Sequence, residues 1–152
     1  MKKDNIRDYA TAAFRFYAAV GSSEKYKEKL WKEALERKEE KVGPSSGISN
    51  PTEAQIVHAE KIVDEHIAEI KDLEAVEKTL EMCDTGTTPG RMMKELIKGV
   101  YFVNANNPLK KGDIHNRVIA TSMELEICEN SAYKILKSAR KLFALNRGLR
   151  DC

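Results

Sequence analysis

Hydrophobic residues recur every three or four positions through most of the chain, with charged and polar residues between them. This spacing is typical of amphipathic α-helices. The regular alternation of apolar and polar residues that marks half-buried strands is nearly absent. The pattern therefore predicts an all-α protein of about six helices, separated by short segments rich in glycine, proline, asparagine and serine.

The pattern over residues 1–42 predicts an N-terminal helical hairpin. Its first helix begins near Asp4 or Asn5, carries an aromatic stripe and ends at Gly21. A second, densely charged helix follows from Ser22 or Ser23 to about residue 41. The helical spacing of the aromatic residues favours burial against a partner helix over stacking on nucleic-acid bases.

Residues 43–50 predict a linker, because glycine, proline and serine dominate the stretch from Gly43 to Ser49. Beyond it, Asn50 as a cap and Pro51 as the first helical residue predict one long amphipathic helix over residues 51–83. Its apolar residues repeat every seven positions, which indicates either the seam of a homodimer or packing on the hairpin. The seam, within residues 56–80, consists of Ile56, Val63 and Ile70 with Ala59, His66, Leu73 and Leu80.

The pattern over residues 89–152 predicts a helix-turn-helix module. Asp113 would cap its first helix, and the second would run from Ser131 to about Asn146. Ser122 provides the small side chain that lets the two helices cross closely. Two positions depart from the usual pattern: Glu126 occupies the turn position where glycine is commonest, and Cys128 stands where a capping serine or threonine is usual.

Charge supports a nucleic-acid interface in the same region. The chain has a formal net charge of only +2, so it is no polycation. From residue 104 onward, however, nine Lys or Arg residues face five acidic ones, an excess of four positive charges. The start of the second helix would meet base edges, and the lysine row and flanking cations would meet phosphates. The base-facing candidates are Asn130, Ser131, Tyr133 and Lys134; the phosphate candidates are Lys110, Lys111, Arg117, Lys137, Arg140 and Lys141.

The sequence contains no constellation that indicates an enzyme, a cofactor or a metal. The three histidines have no zinc-ligand spacing to each other or to a cysteine. Three cysteines without a CxxC pair argue against a disulfide framework and favour a reducing cytoplasm. The N-terminus resembles neither a signal peptide nor a membrane span, so we expect no membrane association.

The segment from Leu125 to Lys137, together with the tail to Ala144, resembles the region-four DNA-binding module of bacterial sigma-70 factors. It is similar also to the RinA- and ArpU-like late-gene activators of phages, which carry such a module at the C-terminus. The resemblance implies a phage or prophage transcription regulator that binds double-stranded promoter DNA through the helix from Ser131. It further implies contact with RNA polymerase.

Two other functions fit the same pattern. A terminase small subunit for DNA packaging would also combine a helix-turn-helix with oligomerising helices, although its DNA reader is usually N-terminal. A helical protein-interaction module is favoured by the three acidic residues around the turn, Glu124, Glu126 and Glu129, because a phosphate-facing surface normally avoids negative charge. A ring of many subunits would indicate packaging, and a monomer or dimer would indicate regulation.

Overall fold

A computed structural model describes residues 5–42 and 52–149, with side chains for residues 5–35 and 52–149. Within these ranges the chain forms seven α-helices and no strand, which confirms the all-α prediction. The helices are α1 (Asn5–Val20), α2 (Ser23–Val42), α3 (Glu53–Glu65), α4 (Ile67–Cys83), α5 (Thr88–Tyr101), α6 (Asp113–Leu125) and α7 (Glu129–Arg147).

The main core forms around α7, which packs against α1, α4, α5 and α6. Small and large apolar side chains alternate along the buried side of α7, so that the surrounding helices can approach it closely. Aromatic residues fill the space between α1, α5 and α7: the ring of Phe14 stacks on Tyr101 at a centroid distance of 5.4 Å and lies 5.5 Å from the ring of Phe143. Within the aromatic stripe of the first helix, Phe14 is therefore buried in the core, as its spacing predicted, whereas Phe16 and Tyr17 are half-buried and Tyr9 is exposed.

A second, smaller core joins α2 to α3 and α4. It contains Tyr26 and Leu30 from α2 and Ile70 and Leu73 from α4, with Val63 packed at its edge. The central positions of the seven-residue seam are thus covered by α2 of the same chain. Within the described chain the seam packs on α2, the second helix of the predicted hairpin, and the homodimer stays a prediction.

The single long helix predicted over residues 51–83 is wrong, because the helix is interrupted at His66. His66 has φ −105° and ψ 19°, outside the helical range, and its ring stacks on that of Tyr26. The interruption has a packing reason: α3 lies mainly along α2, whereas α4 also contacts α1, α5 and α7. One straight helix would be difficult to place against both sets of partners.

Three predicted helix starts are corrected. The predicted cap Asn50 and first residue Pro51 lie outside the described residues; α3 instead begins after Thr52, whose side chain forms a reciprocal capping box with Gln55. The cap of α6 is Gly112, with φ 88°, and not Asp113, whose carboxylate accepts a hydrogen bond from the Lys110 N–H. The last helix begins two residues earlier than Ser131.

Residues 43–50, the predicted linker, lie outside the described residues. The division at this point into an N-terminal hairpin and a C-terminal module remains a prediction, and it has to accommodate the core that α1 shares with α4, α5 and α7. Among the described residues, no helix combines the length and the apolar character needed to cross a bilayer.

Candidate nucleic-acid interface

Helices α6 and α7 are joined by a three-residue turn, Glu126 to Cys128. Glu126 adopts the left-handed conformation, with φ 57° and ψ 40°, and its N–H donates to the carbonyl of Met123 at 3.2 Å. The next N–H, of Ile127, donates to the carbonyl of Ser122 at 3.0 Å. These two bonds satisfy two of the last four carbonyls of α6, and with the left-handed residue they end α6 and lead the chain into α7.

Helix α5 supports this pair by packing against both α6 and α7. The crossing of α5 and α6 is close at Gly99, where a Cβ atom would lie 2.4 Å from Oγ1 of Thr121. Ser122 is buried on α6 and its hydroxyl donates to the carbonyl of Ile119 at 2.8 Å. Gly99 therefore lets α5 and α6 come together. Ser122 is buried, and its role at the crossing of α6 and α7 stays a prediction.

One side of α7 faces solvent along its whole length. Asn130, Lys134, Lys137 and Lys141 are all exposed and recur at spacings of three and four residues, so they form a single strip. We call these four residues the lysine strip. None of its three lysines has a hydrogen bond or an ion pair to another described residue, and no acidic side chain of α7 lies between them. Their charges are therefore available to an external anion.

Two of the four base-facing candidates are engaged by neighbouring side chains of the protein. Ser131 is half-buried, and its hydroxyl lies 3.0 Å from the Sγ of Cys128. Tyr133 is also half-buried, and its hydroxyl lies 2.7 Å from Nδ1 of His115 on α6, whose ring it stacks against. Burial raises the pKa of Tyr133, and the nearby charge of Glu129 adds to the effect. Both residues fix the start of α7 and leave Asn130 and Lys134 facing solvent.

The phosphate candidates also divide into two groups. Lys110 and Lys111 are exposed in the loop before α6, as are Lys137 and Lys141 on α7. Arg117 and Arg140 are half-buried instead: Arg117 donates to the carbonyl of Val100 at 3.2 Å, and Arg140 donates to the hydroxyl of Tyr101 at 2.9 Å. Arg117 thus binds one of the last carbonyls of α5, which lack partners within the helix, and Arg140 binds the side chain of the last residue of α5.

Arg15 on α1 is a further functional candidate, which the sequence did not predict. Arg15 is buried and donates hydrogen bonds to the carbonyls of Val103, Asn104 and Asn107 in the loop after α5. Burial lowers the pKa of the guanidinium from its ordinary value, and nearby Arg117 adds to this, while Asp113 opposes it. An arginine among aromatic neighbours was its only signal in the sequence.

The turn cysteine has chemistry of its own. Cys128 is exposed, and its hydrogen bond with the Ser131 side chain lowers the pKa of the thiol, with backbone hydrogen bonds adding to the effect. The other free thiol described, Cys83, is buried, which raises its pKa. Across residues 5–42 and 52–149, no three His, Cys, Asp or Glu side chains are grouped closely enough to hold a metal ion.

No known family model matches the sequence, and neither the curated proteins nor the solved structures contain a significant match.

Proposed function

We propose that the protein is a non-enzymatic transcription regulator that binds duplex DNA through α7. The observation that carries the proposal is the lysine strip, in which three exposed and unpaired lysines follow a short, fixed turn between two helices. A helix presented in this way has the size and charge to lie in the major groove, with its amino end near the bases. Phosphates would supply the anions that the lysines lack.

Within the strip, position along the helix suggests two roles. Asn130 lies in the first turn of α7, and an asparagine amide can make paired hydrogen bonds to adenine. Lys134 lies one turn further and could reach a guanine edge or a phosphate. Lys137 and Lys141 lie beyond these turns and would contact the backbone, together with Lys110 and Lys111 before α6. Ser131 and Tyr133 would act by holding the start of the helix in place.

The regulatory setting rests on the resemblance to sigma region four. On that basis we propose a phage or prophage regulator that works in the cytoplasm and contacts RNA polymerase while bound at a promoter. A homodimer would place two reading helices on two half-sites of the operator. Because Ile70 and Leu73 are buried within the chain, a dimer through residues 56–80 would use exposed side chains such as Val57 and Ile67.

The proposal predicts two kinds of mutant. Lys137→Ala and Lys141→Ala should each weaken binding to specific and random duplexes alike, and reduce the slope of log affinity against log salt by about one unit. Asn130→Ala should instead weaken specific binding by roughly 1–3 kcal/mol and leave random DNA unaffected. Fluorescence anisotropy with labelled duplexes selected from a random pool, over a range of salt, measures both quantities.

The matched control is Lys78→Ala, which removes another exposed lysine, on α4 and outside the strip. It should bind DNA like the wild type. If Lys137→Ala and Lys78→Ala have the same effect, or if the wild type binds no duplex in a salt-dependent manner, α7 is not a DNA-binding helix.

A second candidate function is docking of a partner protein on the turn side of α6. Met123 is 73% exposed and stands next to the acidic residues Glu124 and Glu126. An exposed apolar side chain flanked by acids suits a basic, apolar partner segment better than a phosphate backbone. Met123→Ala should abolish such docking and leave DNA affinity unchanged, which separates the two functions.

A further inference from the structure

A groove of about 880 Å³ opens between α1, the loop over residues 102–112 and α7. Its walls combine apolar surface, from side chains such as Phe16, Ile114 and Leu136, with polar groups from the loop and three arginines. Small-molecule sites in proteins have volumes of roughly 300–1,000 Å³ and the same mixture of apolar walls and a few polar groups. The size and composition of this groove therefore fit a small organic ligand.

The charged residues that line the groove are mostly positive. Arg7, Arg15 and Arg140 line it, against a single acidic residue, Asp8, which lies 3.4 Å from Arg7. Within the described part of the chain, neither Arg15 nor Arg140 has an ion pair with a carboxylate. Their hydrogen bonds go to backbone carbonyls and to the hydroxyl of Tyr101, which are neutral groups.

The carbonyls after α5 hold Arg15 in place without neutralising its charge, and the carboxylate of Asp113 offsets that charge in part without forming an ion pair with it. A cation withdrawn from water is costly unless an anion is close by. Arg140 is half-buried, and a guanidinium has five N–H donors, of which the described residues engage one. An anionic group in the groove would complete the hydrogen bonding of Arg140 and offset the positive charge of both arginines.

We infer that this groove is a binding site for a small organic anion, in which a phosphate, sulfonate or carboxylate group meets Arg140 and an apolar body lies against Phe16 and Leu136. The site goes beyond the proposed DNA interface and does not depend on it. The lysine strip lies on a different side of α7, so a ligand in the groove would leave the strip exposed.

The test uses the full chain and 1-anilinonaphthalene-8-sulfonate, a fluorescent aromatic anion of suitable size, without DNA. Its fluorescence should increase and saturate at one molecule per chain. In the ¹⁵N-labelled protein, it should shift the amide signals of groove residues such as Thr11, Asn106 and Leu136. Signals around Trp31, which lines a separate shallow groove between α2 and α3, should not move.

Arg140→Gln should weaken binding of the sulfonate about tenfold, the effect of losing one charge-assisted hydrogen bond, and Arg140→Lys should restore part of it. Lys78→Gln on α4 is the matched control and should bind the probe like the wild type. The neutral analogue N-phenyl-1-naphthylamine should bind Arg140→Gln and wild type equally, because it carries no anionic group. Circular dichroism establishes that each variant is folded.

Three results would overturn the inference. The first is the absence of saturable binding to the wild-type chain. The second is equal binding of the sulfonate by folded Arg140→Gln and by wild type. The third is a set of amide shifts confined to the region of Trp31, which would place the probe in the other groove. Loss of DNA binding has no bearing on any of the three, so the two proposals fail independently.

Discussion

The conformation of one residue, Glu126, fixes the geometry of the candidate interface. Its backbone is left-handed, a region that L-residues avoid and glycine enters freely. The sequence identified this position, because glycine is commonest there in helix-turn-helix modules. The glutamate also places a negative charge beside the helix that we propose to bind DNA, so it is unfavourable for both conformation and charge.

Glu126→Gly should therefore stabilise the fold and strengthen DNA binding. We expect the free energy of unfolding to increase by about 1 kcal/mol, reduced by the entropy that glycine adds to the unfolded chain. The thermal midpoint should rise by about 2–4 °C. Glu126→Gln is the control, because it removes the charge and keeps a side chain on the left-handed backbone. It should share the gain in DNA affinity but not the gain in thermal stability, both measured on the same preparations. A thermal midpoint equal to that of Glu126→Gln would show that the conformation carries no cost.

At the scale of the helices, a few specific polar contacts join one helix to another. Asp72 of α4 accepts hydrogen bonds from Tyr9 of α1 and from Nε of Arg147 of α7, the latter at 2.6 Å. Arg147 and Asp72 are each less than one-fifth exposed, so this ion pair is screened far less than a surface pair. The hydrogen bond to Asp72 raises the pKa of Arg147. Asp72 thus links three of the helices that build the main core, α1, α4 and α7.

The seven-residue seam provides a prediction at this scale. Ile70 is fully buried between α4 and α2, so Ile70→Ala should destabilise the monomer fold by about 2–5 kcal/mol in urea unfolding. Val57→Ala, on the exposed side of α3, should change stability by less than about 0.5 kcal/mol. Light scattering on both variants reports the molecular mass. A fall in mass for Ile70→Ala without loss of stability would instead place a subunit interface at Ile70.

At the scale of the whole molecule, α1 and the proposed DNA-binding helix α7 share one core. Phe14 of α1 contacts both Tyr101 of α5 and Phe143 of α7, and Arg15 binds the loop after α5. A change at α1 is therefore expected to reach α7 through direct contacts. The groove between them, with its arginines, exists only because these helices come together.

This shared core predicts the outcome of cutting the chain between its two predicted parts. A protease recognition site inserted between Gly47 and Ile48 should be cleaved, and the two pieces should still elute together in size-exclusion chromatography with unchanged helical circular dichroism. Phe14→Asp, which places a charge in the core between α1 and α7, should make the cleaved pieces separate. If the pieces of the wild-type sequence separate and the larger one stays folded, the division into independent domains is correct.

The sequence by itself determined the features that depend on local spacing. These are the all-α class, the turn at Glu126 and, on most helices, the apolar side that is buried. These follow from periodicity and capping, which act over a few residues. The tertiary structure decided the interruption at His66, because α3 and α4 have different partners.

The tertiary structure also decided which cations face solvent. Spacing alone cannot distinguish Lys137, which is exposed, from Arg117 and Arg140, whose partners lie on a helix distant in the chain. The arginine-lined groove depends on the same long-range contacts, since Arg15 meets its carbonyl partners only once α1 and α5 have packed together.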